Sequence, residues 1–106
     1  MAEVVREIPG AVGPLECLID RPKSTPRAAV VFAHPLPIEG GTMHTKVVYQ
    51  SAKALADVGC VVLRFNFRGV GRSAGAWDEG RGEMDDYRTA VDYMACLLYT
   101  SDAADE

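Results

Sequence analysis

Ser73 lies in Gly71-Arg-Ser-Ala-Gly75, a Gly-x-Ser-x-Gly spacing that can present a serine hydroxyl on a sharp turn, ready to attack a carbonyl carbon. On such a turn the serine is activated by an imidazole that follows it in the chain, with a carboxylate between them in sequence to orient the ring. Here both histidines, His34 and His44, precede Ser73. The turn departs from a nucleophile elbow in shape as well: Arg68-Gly-Val-Gly-Arg72 separates the serine from its strand, and Ala74-Gly-Ala-Trp-Asp-Glu-Gly80 is a poor helix start. Ser73 is therefore expected to serve as a loop residue and not as the nucleophile.

The same segment fits a second pattern. Gly69-Val-Gly-Arg-Ser-Ala74 reads as Gly-x-Gly-x-x-Ala after a strand, which in a nucleotide-binding module cradles a pyrophosphate. That use needs a helix to open at once, so that the phosphates sit on its N-terminus, and a strand ending in an acid further on. Asp92 instead falls inside a helical pattern, since Met84 to Leu98 reads as helix where this rival needs a strand. His34 and His44 are separated by nine residues and two prolines with no third ligand at a suitable spacing, so no metal site is expected. Arg64, Arg68 and Arg72 could attract an anion, but Asp78, Glu79, Glu83 and Asp86 are available to pair with them, and ion-pair bracing of the loop against the second helix is the plainer expectation, although surface pairs contribute little stability.

The elements that must position these residues follow from periodicity. Residues 3–8 and 15–20 read as short strands joined by the turn-forming Pro9-Gly-Ala-Val-Gly-Pro14, an antiparallel hairpin. After the polar linker 21–27, Ala28 to Ala33 is apolar on both faces, the pattern of a strand inside a covered sheet. Residues 46–58 repeat Val48, Ala52, Leu55 and Ala56 on one helical face, and Gly59 supplies the stop. Val61 to Phe67 returns to strand, so the unit is strand, helix, parallel strand. A second amphipathic helix runs from Glu83 to about Leu98 with Met84, Tyr87, Val91, Met94 and Leu98 on its apolar face and Glu83, Asp85 and Asp86 near its positive end.

In combination, His34-Pro35, Gly40-Gly-Thr-Met43, Lys46-Val-Val48, Arg64-Phe-Asn-Phe-Arg-Gly-Val-Gly-Arg-Ser73 and Asp78-Glu-Gly-Arg-Gly-Glu83 resemble the N-terminal half of an α/β-hydrolase, of the small dienelactone-hydrolase-like branch. The resemblance covers roughly residues 4–95 and implies an α/β fold with an incomplete sheet: hairpin, then strand, helix, strand, helix. It implies a serine-type hydrolase acting on an ester or related acyl bond of a small molecule, without a cofactor. The backbone N–H of Leu36 would help hold the oxyanion, because Pro35 has none to offer. His34 would organise that loop, Gly40 and Gly41 would let it turn tightly beside substrate, and Arg68, Gly69, Gly71 and Ser73 would form a structural loop bordering the site. Asn66 stands where many relatives carry aspartate, which leaves a loop-anchoring charge pair at that position in question. None of the triad would lie in this chain; nucleophile, acid and histidine would follow the next strand, and the chain alone would be inactive. A non-catalytic scaffold with the same fold is the other alternative.

Bulk properties narrow the classes further. The 106 residues suit one domain or part of one. Eleven Lys and Arg against 15 Asp and Glu leave no basic stripe for a phosphate backbone, so a nucleic-acid partner is not expected. No apolar run is long enough to span a bilayer and no signal-peptide core opens the chain, which predicts a cytosolic protein with no membrane partner. Cys17, Cys60 and Cys96 show no Cys-x-x-Cys spacing and predict neither a disulfide framework nor a zinc site. Residues 96–106 change composition abruptly and are expected to be a non-native tail resembling translated adapter sequence, with residues 1–95 the partial hydrolase domain. Substrate and oligomeric state are not legible.

Overall fold

The computed structural model describes the backbone of residues 3–105 and the side chains of residues 6–98. Strands β1 (Glu3–Gly10) and β2 (Gly13–Asp20) pair antiparallel from Glu3↔Asp20 to Gly10↔Gly13. The hairpin is longer than the proline content suggests, because Pro9 and Pro14 lie opposite each other within the ladder. Each sits where its strand pairs on one side only, so a nitrogen without hydrogen leaves no second ladder bond unmade.

Strand β3 (Ala28–Phe32) leads through a short 3-10 turn, Pro37–Glu39, to helix α1 (Lys46–Asp57) and then to β4 (Cys60–Phe65). β4 pairs antiparallel with β2 and parallel with β3, giving one four-stranded mixed sheet in the order β1-β2-β4-β3. Side chains alternate across this sheet. Leu15, Cys17, Ile19, Val61, Leu63 and Phe65 form one buried face, on which Ala90 and Met94 of helix α2 (Arg81–Asp105) pack. The opposite face meets α1 through Val48, Ala52 and Ala56, the face its period predicts. Cys17 is fully buried, and desolvation pushes its thiol up to about 11, so it serves as a packing residue and not as a nucleophile.

Two features of α2 differ from expectation. The helix runs on to Asp105, through the segment read as a tail, where no glycine or proline interrupts it. Its buried line is also rotated: Glu83, Asp86, Ala90 and Met94 face inward, while Met84 and Val91 are 53% and 41% exposed. Two polar residues near the helix start occupy positions that periodicity alone assigns to apolar ones, and they do so because the loop before the helix needs their carboxylates.

Candidate active-site edge

Ligands of open α/β sheets bind beyond the carboxyl ends of the parallel strands, and here that edge is formed by the loops leaving β3 and β4. The first loop is held by His34, which is buried. Its Nδ1 lies 2.7 Å from the Pro35 carbonyl oxygen and its Nε2 lies 3.1 Å from the Phe67 backbone nitrogen. Since a backbone N–H can only donate, Nε2 is the acceptor and the proton resides on Nδ1. The neutral ring thus ties the end of β3 to the segment after β4 and packs edge-on against Phe67 at 4.9 Å. Both nitrogens are committed, and the imidazole braces the two loops against each other.

Burial lowers the pKa of His34 below its ordinary 6.5, opposed in part by the Pro35 hydrogen bond. The sign follows directly. Above pH 6.5 neither the folded nor the unfolded ring is charged, whereas below it the unfolded ring takes up a proton that the folded ring resists. Stability is therefore expected to fall as pH falls through this region, and His34→Gln should flatten that dependence. Urea midpoints of the two proteins on either side of pH 6.5 measure it; parallel curves would show that His34 does not carry the effect.

Beyond His34 the chain turns back on itself. The Leu36 carbonyl accepts from the amides of Glu39 (3.1 Å) and Gly41 (3.2 Å), and Gly40 takes a left-handed φ of 89°. A Cβ on Gly41 would collide with the Pro35 carbonyl, so the tight loop requires glycine there. Among the described residues the Leu36 N–H has no hydrogen-bond partner. Met43 ends the loop fully buried, its amide donating to Asn66 Oδ1 at 2.8 Å and its carbonyl accepting from Arg64 Nη1 at 2.8 Å.

The second loop is stitched to β2 by Glu16 and Asn66. Asn66 donates from Nδ2 to Glu16 Oε1 (2.9 Å) and from its backbone N–H to the Glu16 carbonyl (2.9 Å). The position that raised doubt about a charge pair is thus satisfied without one. An aspartate would set a second carboxylate against Glu16, whereas the amide donates to Glu16 and accepts from Met43 at once. Ser73 completes the seam: its Oγ donates to the Asn66 carbonyl at 2.7 Å and accepts the Glu16 N–H at 2.8 Å. The hydroxyl is buried between two backbone groups. Gly71, with φ 54°, lies so close that a Cβ would stand 2.6 Å from Asn66 Nδ2 and 2.7 Å from Glu16 Oε1.

The expected bracing of the loop against the second helix is made by Arg68 with Asp86, in a buried setting, whereas Arg64 and Arg72 find partners on β2. Arg64 is fully buried and binds Asp20 through Nε at 2.8 Å, and Lys53 joins the same carboxylate at 3.1 Å. Arg68 pairs with Asp86, itself fully buried, through Nη2 at 2.9 Å and Nε at 3.1 Å, while its backbone N–H donates to the same carboxylate at 2.9 Å. Those bonds raise the guanidinium pKa further, so the charge is permanent. Arg72 meets Glu16 through its amide at 2.9 Å. Glu83 reaches back to the N–H groups of Asp78 and Gly80, both at 2.9 Å, capping α2 in the manner of a capping box. Asp20, Glu16 and the cap were missed from sequence; the signal for Asp20 was an arginine inside the apolar run of β4, which demands a buried acid somewhere.

Gly69 to Ala74 forms successive turns, with Val70 N bonded to Phe67 O and Ser73 N to Val70 O, and no helix opens before Arg81. The phosphate-cradle geometry is therefore lacking, and Met84–Leu98 is helix where that reading needs a strand. A cavity of about 250 Å³ lined by Asp20, Arg21, Lys23, Lys53 and Gly59 lies at the opposite end of the parallel strands, away from these loops.

A lidless α/β serine hydrolase of Xanthomonas campestris superposes on 91% of this chain with a TM-score of 0.85 and 40% sequence identity. An α/β serine hydrolase homologue of Coxiella burnetii superposes on 88% with a TM-score of 0.81 and 43% identity. The chain carries the N-terminal half of an α/β-hydrolase fold. The chain spans 45% of the length of either structure. An uncharacterised protein of Rickettsia prowazekii is 46% identical over 72 residues, 67% of this chain and 30% of that one. No protein-family model matches. Among the described residues, no helix is long and apolar enough to cross a membrane.

Proposed function

We propose that this chain forms the oxyanion-binding half of a serine hydrolase that cleaves an ester or related acyl bond in a small molecule. The observation that supports the reading is the Leu36 N–H at the carboxyl end of β3, without a hydrogen-bond partner among the described residues, on a loop pinned by His34 and Gly41. A rigid donor at that edge is what a developing alkoxide requires, because no reorganisation is needed as charge appears. Nucleophile, general base and orienting carboxylate come from sequence outside this chain, and attack by that serine places the carbonyl oxygen against Leu36. Ser73, Asn66 and Arg68 hold the neighbouring loop in place and touch no reacting atom.

Fluorophosphonate labelling tests the assignment. The 106-residue chain is expected to give no covalent adduct and no ester turnover, while a chimaera joining residues 1–95 to the remainder of the Xanthomonas hydrolase is expected to label at a serine contributed by that remainder. An adduct mapped to Ser73 would overturn the proposal.

A further inference from the structure

We propose that Arg64 is a positioning residue for the oxyanion loop: through the Met43 carbonyl it holds the far end of the segment whose near end carries the Leu36 N–H, an assignment that rests on the proposed role of that N–H. Arg64 lies in β4, which pairs with β2 on one side and β3 on the other. Its side chain is fully buried, and the Tyr49 ring of α1 lies over it, with 5.4 Å between the guanidinium carbon and the ring centre. Packing alone does not call for a charge there. A buried ion pair can often be exchanged for apolar residues of similar volume with no loss of stability. An apolar residue would, however, leave the loop without a donor: Nε (2.8 Å) and Nη2 (3.4 Å) engage the two oxygens of Asp20, and Nη1 donates to the Met43 carbonyl at 2.8 Å.

The loop is fastened at both ends to one short stretch, residues 64–67. Met43 is fully buried, so neither its amide nor its carbonyl can turn to water, and Asn66 and Arg64, two residues apart, take one each. At the other end His34 accepts from the Phe67 N–H and donates to the Pro35 carbonyl. That peptide unit is planar and trans, so holding the Pro35 oxygen turns the Leu36 N–H, on the same unit, to the opposite side. Between the two ends, the Gly41 amide donates to the Leu36 carbonyl at 3.2 Å. A shift of the Met43 end is therefore passed to Leu36 through Gly41, two residues away. His34 sets the direction of the donor, and Arg64 keeps the returning half of the loop where it can hold the donor's own residue.

The test uses the chimaera of residues 1–95 with the Xanthomonas hydrolase remainder. Asp20→Leu combined with Arg64→Met removes the ion pair as a pair and takes the donor from the Met43 carbonyl, while Lys53, with 33% of its side chain exposed, stays in contact with water. In this variant kcat is expected to fall about tenfold to a hundredfold, the scale of a small misplacement of a catalytic group, with KM within a few-fold. Adding Leu36→Pro should lower kcat no further than Leu36→Pro does alone, because the donor to be positioned is already gone. Effects that multiply, or an unchanged kcat in the folded variant, would overturn the proposal and leave the oxyanion reading in place. Full kcat in Leu36→Pro overturns that reading instead, and amide exchange of residues 39–41 in the 106-residue chain then decides for Arg64: faster exchange in the variant supports the anchor, and equal exchange overturns it. Should the double replacement fail to fold, Arg64→Lys, which keeps a cation beside Asp20 but sets a single ammonium in place of the fork, is measured with the same expectations.

Discussion

Asp86→Ala is expected to destabilise the chain by about 3–5 kcal/mol, the usual result of leaving a buried charge without its partner. The Asp86 carboxylate accepts both the guanidinium and the backbone N–H of Arg68, and it is fully buried. Removing it leaves the Arg68 guanidinium, packed against Gly82, without its hydrogen-bonded partner and with only the weaker influence of Asp78 and Glu83. Since small domains have stabilities of roughly 5–15 kcal/mol, a loss of this size unfolds a large fraction of molecules or lowers the thermal midpoint steeply. The double replacement Arg68→Met with Asp86→Leu should recover only part of the loss, because the Arg68 N–H remains buried without an acceptor. Asp85→Asn is the control: Asp85 and Arg88 are exposed and 3.6 Å apart, and pairs of that kind contribute at most about 1 kcal/mol. Denaturant midpoints distinguish the outcomes, and a loss for Asp86→Ala no larger than for Asp85→Asn would mean that water reaches the pair.

That buried pair also marks the limit of what periodicity could reveal. Helix α1 was legible almost to the residue because its apolar positions recur at a single period and Gly59 ends it, a local signal independent of the rest of the fold. For α2 the existence of the helix was legible but its inward face was not. The period counted Met84 and Val91 as core, whereas the loop after β4 claims Glu83 as a cap and Asp86 as a counter-ion, turning the helix so that those two apolar residues face out. Polar groups with long-range obligations outrank apolar ones with none, and such obligations carry no sequence period.

The site divides along the same line. The demotion of Ser73 needed only chain order and the length of the intervening loop. What Ser73 does instead depends on Glu16, 57 residues away, and the proton position on His34 depends on Phe67, 33 residues away. Asn66 is the most telling case. As a single letter it left a loop-anchoring charge pair in question; beside Glu16 it is the residue type that can donate to one partner while accepting from Met43. Pairing of that kind is settled by three-dimensional neighbours, and the hairpin register that brings Glu16 there is not visible until β2 is laid against β4.

Leu36→Pro isolates the one group to which the proposed chemistry assigns a direct role. In the chimaera with the Xanthomonas hydrolase remainder, the substitution is expected to lower kcat by about 10²–10³, the loss typical of deleting one oxyanion-hole donor, with a much smaller change in KM. Leu36 has φ −47°, close to the value a pyrrolidine ring imposes. No protein hydrogen bond is removed among the described residues, because the Leu36 N–H donates to none, and its carbonyl still accepts from Glu39 and Gly41. The side chain is 45% exposed, so packing contributes little to the effect. Leu36→Ala keeps the N–H and should retain activity within a few-fold, which separates the amide from the side chain. If proline and alanine behave alike, or if proline raises KM while leaving kcat intact, the developing negative charge does not rest on this amide and the edge built by His34, Gly40 and Gly41 serves binding alone.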